Sequence, residues 1–138
     1  RGILDGHIIL SRKLASRGHY PAIDVLQSIS RVMPDIVDKQ RMKLAQRARE
    51  VLATFAEVED LLTIGAYKEG QNPRADFAVS HIEGVWEFLR QTPEESVPSK
   101  ECLVQLAKAV GEPVQLQQQQ QQTAVQQPRP APTAATLR

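Results

Sequence analysis

The sequence predicts a mainly α-helical fold, on three observations. Apolar residues recur at helical spacing over 38–111, and residues typical of helix starts and stops bracket each periodic stretch. Before this region, glycines and prolines interrupt short apolar pieces. After it, the glutamine run 117–122 and a Pro-, Ala- and Thr-rich segment lack the apolar residues that a packed core needs. We therefore predict a mixed segment over 1–37, a helical domain over 38–111 and a disordered Gln/Pro-rich tail over 112–138.

Composition and charge narrow the classes of protein to which the chain can belong. Seventeen basic and sixteen acidic residues give a formal net charge of +1, without the clustered basic stripe that is typical of a nucleic-acid interface. No apolar run approaches the ~18 residues of a membrane-spanning helix. The single cysteine, Cys102, excludes an internal disulfide. We therefore expect no nucleic-acid partner and no transmembrane segment.

The mixed segment predicts a strand and a short helix. The run His7–Leu10 follows an Asp-Gly turn, contains two isoleucines and is typical of a strand. Residues 11–17 predict a helix with Ser11 as its N-cap and Gly18 just past its C-terminal end. Tyr20 precedes a proline, so we expect it in an extended conformation.

Three helices are predicted in the helical domain. The first spans 38–63 and is ended by Gly65, the second begins at Asn72 with Pro73 in its first position, and the third runs from Ser99 to Gly111. Apolar spacings of three and four residues give each helix one inner face. The expected inner residues are Leu44, Ala48, Val51, Phe55, Val58 and Leu62, then Ala78, Ile82, Val85 and Leu89, then Leu103, Leu106 and Val110.

Catalytic motifs are mostly absent, but one stretch has an unusual combination of side chains. The sequence contains no G-x-x-x-x-G-K-[ST] loop and no H-E-x-x-H pair, and its three histidines lie far apart, so no metal site is expected. Tyr20 could stack on a nucleobase, and Arg31 could bind a phosphate through its planar donors. The chemistry alone leaves open a second interpretation, with Tyr20 as a half-buried core aromatic and Arg31 in a surface ion pair.

That stretch resembles a known family. Pro21-Ala22-Ile23-Asp24, followed after three residues by Ser28-Ile29-Ser30, is similar to the signature of the catalytic and non-catalytic subunits of rotary ATP synthases and their relatives. The flanking residues 3–12 and 17–20 resemble the flagellar and type III secretion ATPases, as does the stretch 64–70 with Pro73 and Asp76. The resemblance covers residues 1–111 and leaves the Gln-rich tail outside.

The resemblance implies a fold and a reaction. Residues 1–37 would be the C-terminal piece of an α/β P-loop-type nucleotide-binding domain whose remainder lies upstream. The parent would be a homo-hexameric ATPase that acts on ATP with Mg²⁺, and the Mg²⁺ ligands would also lie upstream. Arg31 would be the arginine finger, catalytic in trans, and Tyr20 would pack against adenine. Ser28 and Ser30 would shape the turn that aims Arg31. The fragment alone is expected to be inactive.

The resemblance also implies partners and a location. The loop Gly65–Asn72 corresponds to the segment that meets the stalk in rotary motors, so Tyr67 and Lys68 would contact a central stalk protein. A helix-joining turn without a partner is the competing interpretation of this loop. Export-gate components, export substrates and chaperones are the other implied partners, at the cytoplasmic face of the bacterial inner membrane.

Two other functions stay open at this point. One is a subunit of a proton-translocating rotary ATP synthase, which an acidic run in the loop would favour, but residues 68–71 read Lys-Glu-Gly-Gln. The other is a non-enzymatic helical interaction module in which Tyr20 and Arg31 are structural. Within the resembling family, the sequence favours flagellar export over virulence secretion without deciding between them.

Overall fold

Three packed helices dominate the computed structural model, which describes residues 5–113. The elements in chain order are β1 (Gly6–His7), α1 (Arg12–Ser16), β2 (Ile29–Ser30), α2 (Met33–Ile36), α3 (Lys39–Thr63), α4 (Pro73–Leu89) and α5 (Ser99–Ala109). The predicted mainly α fold is confirmed. Nearly all of the predicted tail lies outside the described residues. Within 5–113, none of the helices combines the length and the apolar character that crossing a bilayer requires.

The strand predicted at His7–Leu10 was wrong in its extent. β1 pairs with β2 antiparallel at two positions, Gly6 with Ser30 and His7 with Ile29, and Leu10 makes an isolated bridge to Ile23. Between these pairings the backbone of Ile9 bonds to a turn, because its N–H donates to Ser28 Oγ at 3.0 Å and its carbonyl accepts from Asp24 N–H at 2.8 Å. A strand ladder therefore cannot continue through Ile9.

Local capping signals set the helix boundaries as predicted. The Asp38 carboxylate accepts from the Arg41 N–H at 2.9 Å and begins α3. The Asn72 side chain accepts from the Arg74 N–H at 3.1 Å, and Pro73 is the first residue of α4. α5 starts at the predicted Ser99 without a side-chain cap. The short helix α2 was not predicted.

Three helices end in the same hydrogen-bonded motif. After α1, α3 and α5, two backbone N–H groups bond back to the last turn, as in His19 N–H to Leu14 O at 3.0 Å and Ala66 N–H to Leu61 O at 2.9 Å. The motif needs a residue with positive φ just past the helix. The predicted glycines occupy these positions, with φ of 70° at Gly18, 69° at Gly65 and 68° at Gly111.

The core lies between α3, α4 and α5. Its buried members are Leu44, Ala48, Val51, Ala78, Ile82, Val85, Ala107 and Val110. Most were predicted from helical spacing, but the buried Thr54 and His19 were not. On the rim of this core, Phe55 of α3 meets Trp86 of α4 edge to face, with ring centroids 5.2 Å apart and an interplanar angle of 83°.

Candidate functional site

Arg31 lies directly after β2 with its side chain exposed. Its backbone N–H donates to the Asp5 carbonyl at 2.7 Å, which extends the β1–β2 pairing by one further bond. Within residues 5–113, the guanidinium has no hydrogen-bond or ion-pair partner. The backbone at Arg31 is therefore fixed, while the charged end of the side chain is available to an external anion.

The turn 24–28, which leads into β2, is held by its own side chains. Asp24 Oδ1 accepts from the N–H groups of Leu26 at 3.1 Å and Gln27 at 3.0 Å. The Ser28 hydroxyl donates to the Asp24 carbonyl at 2.6 Å and accepts from the Ile9 N–H at 3.0 Å. The Ser28 hydroxyl is therefore occupied within the turn, while Ser30 takes part in the β1–β2 pair through its backbone.

A residue of the helical domain also binds this turn, and sequence reasoning missed it. Arg49 of α3 donates from Nη1 to the Val25 carbonyl at 2.7 Å and to the Ser28 carbonyl at 3.3 Å, and from Nη2 to the Leu26 carbonyl at 3.1 Å. Arg49 is 24 residues from Val25 in the chain. No local pattern in the sequence indicates a contact at that separation.

Tyr20 presents its ring to solvent. Tyr20 is 58% exposed. The backbone at this position is held by a hydrogen bond, because the Tyr20 carbonyl accepts from the Gln91 N–H at 2.9 Å. The Tyr20–Pro21 peptide bond is cis. An exposed ring on a fixed backbone suits stacking against a flat heterocycle.

The structure separates the roles of the two residues predicted in the Gly65–Asn72 loop. The Tyr67 hydroxyl is hydrogen-bonded to Asp76 Oδ1, and the other oxygen of that carboxylate accepts from the Gly70 N–H at 3.0 Å. The hydrogen bond to Asp76 is the main reason that the pKa of Tyr67 is raised to about 12. Lys68 is exposed and has no ion pair within the described residues.

Two exposed apolar side chains flank this loop. Leu61, in the last turn of α3, is 44% exposed, and Ile64, just past the helix end, is 74% exposed. The Leu61 carbonyl accepts from the Ala66 and Tyr67 N–H groups at 2.9 and 3.2 Å, so this helix end adjoins the start of the loop. Sequence reasoning named neither apolar residue as part of the loop surface. Exposed apolar residues close together are common at protein contacts.

The junction between α1 and the helical domain contains charged and buried polar groups. Glu59 of α3 accepts from Arg17 at 2.6 Å and Lys13 at 3.4 Å, and the hydrogen bond from Arg17 is the main reason that its pKa is lowered. His19 is 4% exposed. Burial, followed by the nearby positive charge of Arg90, lowers the pKa of His19, so its neutral form is favoured.

Arg31 and Tyr20 carry groups that can bind parts of a nucleotide. Within residues 5–113 the Arg31 guanidinium has no partner and suits a phosphate, and the exposed ring of Tyr20 suits a base. Among the same residues, no group of three or more His, Cys, Asp or Glu side chains is placed to hold a metal ion.

Two known families match successive parts of the chain. The family described as "T3SS EscN ATPase C-terminal domain" matches residues 37–108. The family described as "ATP synthase alpha/beta family, nucleotide-binding domain" matches residues 1–30. The boundary between the two matches falls between β2 and α3, in the stretch that contains the short helix α2.

Individual relatives come from both secretion and flagellar systems. The chain is 55% identical over 95 residues to a type 3 secretion system ATPase of Sinorhizobium fredii, covering 69% of this chain and 21% of the relative. It is 48% identical over 102 residues to a flagellum-specific ATP synthase of Aquifex aeolicus, covering 74% of this chain and 23% of the relative. The chain thus spans less than a quarter of the length of these relatives.

A solved structure shares the fold. The assembled ATPase EscN of the enteropathogenic E. coli type III secretion system, in complex with its central stalk EscO, matches with a TM-score of 0.74 and 38% identity. The match covers 78% of this chain and 27% of the EscN chain. Because the family of the EscN C-terminal domain accounts for residues 37–108, the chain belongs to the type III secretion and flagellar ATPase family.

Proposed function

We propose that the protein carrying this chain is an ATP-hydrolysing export motor that energises flagellar or type III protein secretion. In this proposal Arg31 enters the ATP site of the neighbouring subunit, and Tyr20 packs against adenine in its own subunit. The observation that supports it best is the exposed Arg31 guanidinium, which has no partner within residues 5–113, on a backbone held by strand pairing. Family membership supplies the reaction to which such a group belongs.

The chemistry assigned to Arg31 is electrostatic. When water attacks the γ-phosphate of ATP, negative charge spreads over the transferring phosphoryl oxygens, and a planar guanidinium can donate two parallel hydrogen bonds to them. Arginine fingers of this kind accelerate phosphoryl transfer by on the order of 10³-fold or more. Mg²⁺ would neutralise the β- and γ-phosphate oxygens when bound, and we place its ligands upstream of this chain. The chain alone is therefore expected to be inactive.

The proposed assembly is a homo-hexamer with a stalk in its central channel. EscN, which shares the fold of this chain, has been solved assembled and in complex with its central stalk. We assign the stalk contact to Tyr67 and Lys68 of the Gly65–Asn72 loop. Lys68 would provide a mobile charge, and the Tyr67–Asp76 hydrogen bond would hold the loop that presents it. Export-gate components, substrates and chaperones complete the proposed partners, at the cytoplasmic face of the inner membrane.

The proposed division of the chain follows from these roles. Residues 1–37 end the nucleotide-binding domain, residues 38–111 form the helical domain that faces the stalk, and residues 112–138 form a low-complexity tail. The first two parts carry all of the residues to which this proposal assigns a contact.

The test is steady-state ATP hydrolysis by the full-length protein with Arg31→Ala. We expect kcat to fall by about 10³-fold while ring assembly and nucleotide binding are kept, because the lost interaction is made in the transition state. Arg41→Ala is the matched control, since Arg41 is also an arginine but pairs only with Asp38 at 3.3 Å among the ion pairs of residues 5–113. An Arg31→Ala protein with unchanged turnover would refute the proposed role and leave Arg31 structural.

A further inference from the structure

We propose that Arg49 is a positioning residue for Arg31, which makes the reach of the finger depend on the helical domain. The inference deepens the proposed function and rests on it. Arg49 belongs to α3, yet its guanidinium binds the turn that leads to Arg31.

The contact is well suited to fixing a turn. A guanidinium is a rigid planar fork, and here it donates to three carbonyl oxygens, those of Val25, Leu26 and Ser28, at 2.7, 3.1 and 3.3 Å. Three acceptors on one turn define the position of that turn relative to α3 more closely than a single ion pair could. A lysine ammonium in the same place could reach some of these oxygens but would not hold them in a plane.

Little flexible chain separates the turn from Arg31. Ser28 is followed by the two residues of β2 and then by Arg31, a distance of about 10 Å in extended chain. β2 is paired with β1, and the Arg31 N–H is bonded to the Asp5 carbonyl at 2.7 Å. Ile9, two residues past β1, is in turn bonded to Ser28 and Asp24 of the turn. The turn and the strand pair that holds Arg31 are therefore joined, and a displacement of the turn would move them together.

Arg49 is not needed to form the turn itself. The Asp24 carboxylate and the Ser28 hydroxyl already satisfy the turn from within. Removing the guanidinium would therefore leave the turn folded but free to shift against α3. This distinction separates a positioning role from a purely structural one.

The same helix connects this contact to the Gly65–Asn72 loop. α3 has 25 residues, which corresponds to about 37 Å of helix. Arg49 lies near its middle, and the loop begins at its C-terminal end. A force on the loop that tilts α3 would move Arg49, the turn and then Arg31. The proposed stalk surface and the proposed finger are thus joined by one helix and one side chain.

The test compares variants of the full-length protein in ATP hydrolysis. We expect Arg49→Ala to lower kcat by about 10-fold or more, since small misplacements of a catalytic group have effects of this size. KM and ring assembly should stay unchanged, and Arg49→Lys should recover part of the loss. Arg41→Ala, on the same helix, should retain wild-type turnover. Hydrogen exchange in Arg49→Ala should rise at residues 28–31 and not within α3.

The double variant Arg31→Ala/Arg49→Ala supplies the deciding readout. If Arg49 acts through Arg31, the double variant should be no slower than Arg31→Ala alone. Losses that add up would overturn the inference, as would wild-type kcat in Arg49→Ala, and both results leave the role of Arg31 intact. Wild-type kcat in Arg31→Ala would instead refute the proposed function, and this inference with it.

Discussion

Arg17 and Glu59 are joined by a hydrogen-bonded ion pair of 2.6 Å that ties α1 to α3. Lys13 adds a second, longer contact to the same carboxylate at 3.4 Å. The two basic residues lie 42 and 46 positions from Glu59 in the chain. Together with Arg49, this cluster attaches the mixed segment to the helical domain through charged groups on one side of α3.

Replacing Glu59 by Gln should reduce the stability of this attachment in a pH-dependent way. The pKa of Glu59 is lowered in the folded state. The ionised carboxylate therefore stabilises the fold fully above the ordinary pKa of 4.5, and this stabilisation is lost as the pH falls through the lowered pKa of the folded state. Because the basic partners are 48% and 69% exposed, we expect a loss of only about 0.5–1 kcal/mol near neutral pH.

Urea denaturation at neutral and acidic pH measures this loss. Glu57→Gln is the control, because Glu57 is an exposed residue of the same helix without an ion pair in the described part of the chain. Equal effects of the two substitutions at neutral pH would mean that the Glu59 cluster adds nothing to stability.

Two of the helix-ending glycines should respond differently to alanine. At Gly65 an added Cβ meets no atom within 4 Å, so Gly65→Ala introduces only the strain of positive φ, about 1–2 kcal/mol. At Gly111 the same Cβ would stand 2.7 Å from His81 Nε2, which adds a clash to that strain. Gly111→Ala should therefore lower the free energy of unfolding further than Gly65→Ala does. Thermal or urea denaturation compares the stabilities of the two variants. A larger loss in Gly65→Ala would contradict the close approach of Gly111 to His81.

Tyr67→Phe should loosen the loop without disturbing the bundle. The variant loses the hydrogen bond to Asp76, which also accepts from the Gly70 N–H. The pKa of Tyr67 is raised to about 12. The neutral phenol therefore stabilises the loop fully below the ordinary tyrosine pKa of 10.0, and this stabilisation is lost as the pH rises through about 12. An ultraviolet titration of the unsubstituted protein should show tyrosine ionisation near pH 12, and this step should be absent in Tyr67→Phe.

The helical domain was predictable because its signals are local. Asp38, Asn72 and Gly65 act on backbone groups within a few residues, and the apolar spacing that marks an inner face is contained in each helix. The strand at His7 was overextended for the opposite reason. Its end is decided by Ser28, whose hydroxyl takes the Ile9 N–H from 19 residues away.

Residues of the candidate site also differ in whether a local sequence pattern indicates them. Arg31 and Tyr20 were predicted because their neighbours in the chain resemble a known motif. Arg49 was not predicted, because its three acceptors are backbone carbonyl oxygens. Every residue type has such an oxygen, so the sequence does not indicate which residues Arg49 contacts. Thr54 was missed because its buried position lies between two apolar positions and a hydroxyl does not mark an inner face.

The edge-to-face contact of Phe55 with Trp86 provides an internal optical reporter. The chain contains a single tryptophan, and its ring touches an aromatic of α3 from its place on α4. The tryptophan fluorescence of this chain therefore comes from one indole at one helix–helix contact. Any nucleotide, stalk or substitution that parts α3 from α4 can be followed by emission spectroscopy, without attaching a dye.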